Sequence, residues 1–173
     1  ALRTFRYVHG RRVGLAHALA VKPVYRAVSV GEQRLSMYLV HACLDQIIVD
    51  SKRLGDKFTF GMVNEVESPN LMEHYKRNGI LELPAAYTEP VFPAEKPDRT
   101  REGEIELVRF APMFLGLLPD TTQGIPFYTR DLVANFALAF LVDHYGLPVQ
   151  HPQVQSILNS IPALSRRIEW ISQ

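Results

Sequence analysis

Residues 151–171 read HPQVQSILNSIPALSRRIEWI. Proline suits the first turn of a helix because its missing N–H would have no intrahelical partner there. Pro152 and Pro162 therefore indicate two helix starts ten residues apart. The second segment also carries the apolar side chains of Leu164, Ile168 and Ile171. This stretch predicts two short helices.

The opening of the chain predicts a strand, a short helix and a second strand. Residues 2–12 contain an extended apolar and basic segment in which Tyr7 stands three residues before Gly10-Arg11. Residues 13–21 are rich in alanine and indicate a helix, and residues 24–30 indicate the second strand.

Both segments resemble the glutathione transferase family. Its thioredoxin-like domain begins with such a strand, and its helical domain, of sigma or alpha type, ends with such a pair of helices. The resemblance implies that Tyr7 is the catalytic tyrosine, if the protein is active. In the family, this hydroxyl hydrogen-bonds the glutathione sulfur and favours the thiolate, which is the nucleophile.

The chain departs from the family after residue 31. Residues 31–54 form one predicted helix, with apolar side chains at i, i+3, i+4, i+7 and i+8. The family's cis-proline strand and γ-glutamyl-binding turn are missing before this helix; residues 81–85 resemble that strand but follow the helix. We therefore predict a mainly α protein, with a truncated thioredoxin-like β-α-β lobe at residues 1–31 and a transferase-like helical bundle at residues 32–173.

Residues 55–103 are predicted to be a proline-rich insertion in the helical domain. The insertion contains one clear helix, with Ser68 as N-cap, Pro69 in its first turn and Asn78-Gly79 as its end. The X-Pro units between residues 80 and 100 favour extended chain that cannot form a central strand. This segment predicts a strap laid across a partner protein, and the alternative is a loop that covers its own domain.

Two further helices are predicted in the second half of the chain. Residues 104–118 are apolar, with Pro112 bending the helix, and residues 129–145 have little polar face and indicate a buried helix. Cys43 is predicted to be buried in the core. The six histidines lack metal-site spacing, so no metal site is expected.

Charge limits the choice of partners. A net charge of +1 gives no overall field for nucleic acid, and the longest apolar runs are too short for a transmembrane segment. Before Glu32 the chain has no acidic residue but six basic ones: Arg3, Arg6, Arg11, Arg12, Lys22 and Arg26. Such a basic N-terminus is typical of mitochondrial import signals, and it could also contact lipid headgroups peripherally. We expect a mitochondrial location, with the cytoplasm as the alternative.

The missing half of the thioredoxin-like domain carries most of the glutathione site. A fold kept without its ligand site suggests a non-catalytic accessory or structural subunit of a larger assembly, with other protein subunits as partners and no cofactor. The enzymatic alternative is a glutathione transferase or isomerase that uses Tyr7, with glutathione as cofactor. A further alternative is a self-assembling helical structural protein.

Overall fold

The computed structural model describes residues 1–91, 109–123, 127–163 and 166–167. Four α-helices lie in these ranges: α1 (Leu35–Arg53), α2 (Pro69–Lys76), α3 (Arg130–Leu141) and α4 (Pro152–Ser160). The strands are β1 (Leu2–Val8), β2 (Val13–Ala20), β3 (Ser29–Val30), β4 (Gln33–Arg34), β5 (Gly61–Val66), β6 (Leu81–Glu82), β7 (Thr88–Val91), β8 (Arg109–Pro112), β9 (Phe114–Pro119), β10 (Phe127–Tyr128) and β11 (Arg166–Arg167).

A five-stranded mixed sheet, in the order β1-β2-β5-β9-β6, organises the fold. β2 and β5 are parallel neighbours, and the other pairs are antiparallel. Smaller antiparallel pairs join β3 to β4, β7 to β8 and β10 to β11. A crossover between parallel strands needs a long connection, and here residues 21–60, which include α1, supply it.

Helices cover both faces of the sheet. α1 and α2 pack on one face, where the buried side chains include Val40, Ile47 and Met62. α3 and α4 cover the other face, and their cluster includes Val63 and Phe140. Met62 and Val63 are adjacent in β5 and lie in different clusters, as the alternation of side chains along a strand requires.

The predicted mainly α class is therefore wrong, and so is the transferase resemblance. The protein is an α/β fold built on a mixed sheet, without a transferase-type helical bundle. β1 and β2, from the predicted lobe at residues 1–31, belong to the same sheet as β5 and β9. The division of the chain into two domains, residues 1–31 and residues 32–173, stays a prediction.

Two predicted helices are strands. Residues 13–20 form β2, where Gly14 lets α1 approach closely: a Cβ there would lie 2.1 Å from Ile47 Cδ1. Residues 114–119 form β9, of which five residues are buried. A strand covered on both faces reads as a continuous apolar run, so its period of two is hidden in the sequence.

Residues 55–103 also contain β5, a central strand that the sequence analysis missed. The proline-rich part fits the prediction better, because the described β6 is at the edge of the main sheet and β7, with Pro90, is in a two-stranded pair. Residues 92–103, the rest of the predicted strap, lie outside the described residues, as do residues 104–108 of the predicted 104–118 helix.

Four of the predicted helices are present. α1 begins at Leu35, four residues after the predicted start, and the Ser68 side chain accepts a hydrogen bond from Leu71 N at the start of α2, as predicted. Thr129 caps α3 through Leu132 N, and Pro152 is the first residue of α4. The helix predicted after Pro162 is wrong at residues 166–167, which form β11; residues 164–165 and 168–173 lie outside the described part. In the described ranges no helix is long and apolar enough to cross a bilayer.

Candidate functional site: a carboxylate cavity

A cavity of about 300 Å³ opens where the parallel strands β2 and β5 end. Its wall combines carboxylates, histidines, tyrosines and apolar side chains; we call it the carboxylate cavity, and it is lined by His17, Leu19, Glu65, Glu67, Leu71, Tyr75, Glu89, Met113, His144 and Tyr145. Such positions favour ligand sites because strand ends and the loops beyond them bring polar groups together over a rigid sheet.

A β-bulge places His17 in this wall. Thr4 pairs with Ala18 and Phe5 pairs with Ala16, so His17 is the extra residue of the bulge. A bulge changes the direction of the side chains beyond it, which explains why Leu15 packs with α3 and Leu19 packs on the opposite face. The His17 ring lies 4.1 Å from the His144 ring, centre to centre, and 6.2 Å from that of Phe140.

Glu65 is the polar centre of the cavity. It belongs to β5, on the same face as Val63, and its two carboxyl oxygens accept hydrogen bonds from two tyrosines. The Tyr87 hydroxyl donates to Oε1 over 2.5 Å, and the Tyr145 hydroxyl donates to Oε2 over 2.7 Å. Glu89 Oε2 lies 3.4 Å from the Tyr145 hydroxyl, so this tyrosine stands between the two carboxylates.

Burial and charge repulsion hold Glu65 near its titration point at neutral pH. Loss of hydration raises the pKa of Glu65 from 4.5 to about 7; the bonds from Tyr87 and Tyr145 lower it, and the charge of Glu89 raises it. Burial also raises the pKa of Glu89, and it raises the pKa values of Tyr87 and Tyr145, which therefore remain proton donors. Glu65 can gain or lose a proton near pH 7.

The sequence did not point to this site. Glu65, Glu89 and Tyr145 were not among the predicted site residues, and the histidines were considered as metal ligands. One signal was present: Glu65 stands close to Val63 and Val66 in a segment that forms a buried strand, where a carboxylate is costly unless it is paired or protonated. That signal depends on recognising β5 as a buried strand.

Tyr7, the predicted catalytic tyrosine, lies elsewhere. It does not line the carboxylate cavity, and its hydroxyl donates to Asp56 Oδ2 over 2.8 Å. His9 Nδ1 lies 2.6 Å from the same oxygen, and Arg12 Nε lies 3.5 Å from Oδ1. Burial and the Asp56 contact raise the pKa of Tyr7, so the phenol keeps its proton. Activation of a thiol by Tyr7 stays a prediction, but the resemblance to the transferase family that suggested this role is wrong.

Within the described residues, no group of three or more His, Cys, Asp and Glu side chains is arranged to hold a metal ion. Cys43 is buried in α1, and burial raises the pKa of its thiol. Comparisons with protein-family models, with curated proteins and with solved structures give no match for this chain. A proposal about function therefore depends on the geometry of the carboxylate cavity.

Proposed function

We propose that the protein binds a small organic base in the carboxylate cavity, with Glu65 as the group that exchanges a proton with the ligand. The observation that carries this proposal is Glu65 itself, held by two tyrosines in the wall of the cavity with a pKa of about 7. A volume of about 300 Å³ is within the range of small-molecule sites.

The charges of the wall support a basic ligand over an acidic one. Glu65, Glu67 and Glu89 line the cavity, and no lysine or arginine is among its described lining residues. An anionic ligand would face three carboxyl groups, and no lysine or arginine among the described lining residues would offset them. An ammonium or protonated heterocycle would pair with Glu65, and the Tyr75 and Tyr145 rings, with Leu19, Leu71 and Met113, offer contacts for its apolar part.

Proton exchange limits the cost of burying charge. A neutral base can take the proton of the Glu65 carboxyl group, and the resulting ion pair adds no net charge to the cavity. A ligand that arrives already protonated displaces that proton into solvent. The affinity for a cation is therefore expected to rise as Glu65 ionises, which means that it rises with pH through about 7.

A charge series of equal size tests this proposal. We expect benzylamine to bind more tightly than benzyl alcohol, and benzoate to bind most weakly, in calorimetric titrations at pH 8. Between pH 6 and pH 8 the ionised fraction of Glu65 rises from about one tenth to about nine tenths, so benzylamine should bind about tenfold more tightly at the higher pH. Benzyl alcohol should show no such change.

Glu65→Gln is the matched variant, because glutamine keeps the size of the side chain and cannot ionise. It should weaken the preference for the amine, because Glu67 and Glu89 remain in the wall, and it should abolish the tenfold change in the affinity for benzylamine between pH 6 and pH 8. If benzylamine and benzyl alcohol bind equally to the wild type, or if the variant retains the pH dependence, the proposal is wrong.

The accessory-subunit hypothesis and the glutathione-enzyme alternative both came from the transferase resemblance. Since the fold differs from that family, neither retains its fold analogy. A role in a larger assembly and a mitochondrial or cytoplasmic location remain predictions.

A further inference from the structure

Residues 22–34, which we call the basic arm, form an exposed segment between β2 and α1. Every one of these thirteen residues is exposed, including four with large apolar side chains. Val24 is 74% exposed and Tyr25 is 48% exposed, with Val28 and Val30 close to 40%. So many apolar groups exposed over a short stretch of chain indicate a contact surface.

Hydrogen bonds give the basic arm a defined shape. A 3-10 turn, Pro23–Tyr25, is followed by the β3/β4 hairpin, and Gly31 has a φ of +60°, as primed hairpin turns require. Leu35 N donates to Val28 O over 2.9 Å, which ties the hairpin to the start of α1. The Arg34 guanidinium donates to Ala27 O over 2.6 Å. The apolar side chains are thus presented on an ordered support.

The charge of the arm is positive and is not neutralised by nearby carboxylates. It contains Lys22, Arg26 and Arg34 against Glu32, and none of these three cations has an ion pair with another described residue. Two arginines near the chain start differ, since Arg11 pairs with Asp143 and Arg12 pairs with Asp56. The arm therefore carries a positive charge directly beside its exposed apolar side chains.

We propose that the basic arm binds the surface of an anionic membrane. The valines and Tyr25 enter the boundary between headgroups and acyl chains, and the three cations contact lipid phosphates and carboxylates. Thirteen residues are fewer than the twenty to thirty that one side of a stable protein interface usually contributes. Apolar side chains interleaved with lysine and arginine are also the composition that peripheral membrane contacts use.

Vesicle sedimentation with the whole chain tests the proposal. We expect binding to vesicles of phosphatidylcholine with 30% phosphatidylserine, and little binding to phosphatidylcholine alone. Lys22→Gln/Arg26→Gln should weaken binding about 25-fold, because each cation near such a surface contributes about fivefold. Val24→Ser/Tyr25→Ser should weaken binding to the same vesicles. Raising the salt should release the wild type.

Substitutions outside the arm supply the controls. Lys52→Gln/Lys57→Gln removes two exposed cations, and Val49→Ser/Leu54→Ser removes two exposed apolar side chains. Both control proteins should bind as the wild type does. The proposal is overturned if the folded wild type does not bind anionic vesicles, or if the arm variants bind no more weakly than the controls. Sedimentation of the protein without vesicles measures its oligomeric state. If the wild type and the control variants are dimers and the arm variants are monomers, the arm binds a second copy of the chain instead.

Discussion

Gly61→Ala is expected to destabilise the protein by about 3–5 kcal/mol, a large part of the roughly 5–15 kcal/mol by which folded domains are usually stable. Gly61 begins β5 with a φ of +123°, a conformation that L residues rarely adopt. An alanine Cβ would lie 2.2 Å from Leu118 O and 2.7 Å from Pro119 Cα. Both atoms are backbone of the paired strand β9, so they cannot move aside as a side chain can. Backbone strain and overpacking each contribute about 1–3 kcal/mol.

Two other glycines separate these contributions. Gly55 and Gly79 have φ values of +84° and +83°, and nothing lies within 4 Å of a Cβ built on either. Gly55→Ala and Gly79→Ala should therefore show backbone strain alone, about 1–2 kcal/mol. Urea unfolding at one pH gives all three values. If the three variants lose the same free energy of unfolding, the backbone of β9 moves to accommodate the methyl group at Gly61, and the predicted overpacking is absent.

Local signals in the sequence predicted two of the helix starts well. Ser68 with Pro69, and Pro152, each mark a helix start that the structure contains. These signals act within one turn of chain, because a cap satisfies N–H groups two or three residues away. The long stripe of α1 was equally clear because one of its faces is exposed.

The sheet was harder to predict because its evidence is not local. β2 reads VGLAHALA, and the small residues that suggested a helix are there to let α1 pack closely, as the Gly14 contact with Ile47 shows. β9 is buried on both faces and so lacks an alternating pattern. The two helices predicted in these places left too few strands for a sheet, which is why the predicted class was mainly α.

The cavity could not be predicted from the sequence either, because its residues are far apart in the chain. Glu65 and Tyr145 are 80 residues apart, and Glu65 and Tyr87 are 22 apart. They meet because Tyr145, which follows α3, and Tyr87, which precedes β7, both lie on the face of the sheet from which Glu65 projects. His17 reaches the cavity only through a bulge in β2, a feature set by pairing with β1.

Glu65→Gln is expected to make the stability of the protein much less dependent on pH. The pKa of Glu65 rises from 4.5 to about 7 on folding. Each pKa unit corresponds to about 1.4 kcal/mol, so ionisation of Glu65 costs the folded state about 3 kcal/mol at most. A group with a raised pKa stabilises the fold fully below pH 4.5, and that stability is lost as the pH rises through 7. The wild type should therefore lose stability over this interval through Glu65.

Urea unfolding of both proteins between pH 4 and pH 8.5 measures this loss, because the difference between the two curves cancels the titrating groups that do not interact with Glu65. Relative to the wild type, the free energy of unfolding of the variant should increase by up to about 3 kcal/mol between pH 4 and pH 8.5. Glu67→Gln is the control: Glu67 lies on the exposed rim of the same cavity and lacks the hydrogen bonds from Tyr87 and Tyr145. Parallel curves for Glu65→Gln and the wild type would mean that Glu65 titrates as in the unfolded chain, and the proton exchange proposed for the ligand would then have no donor at neutral pH.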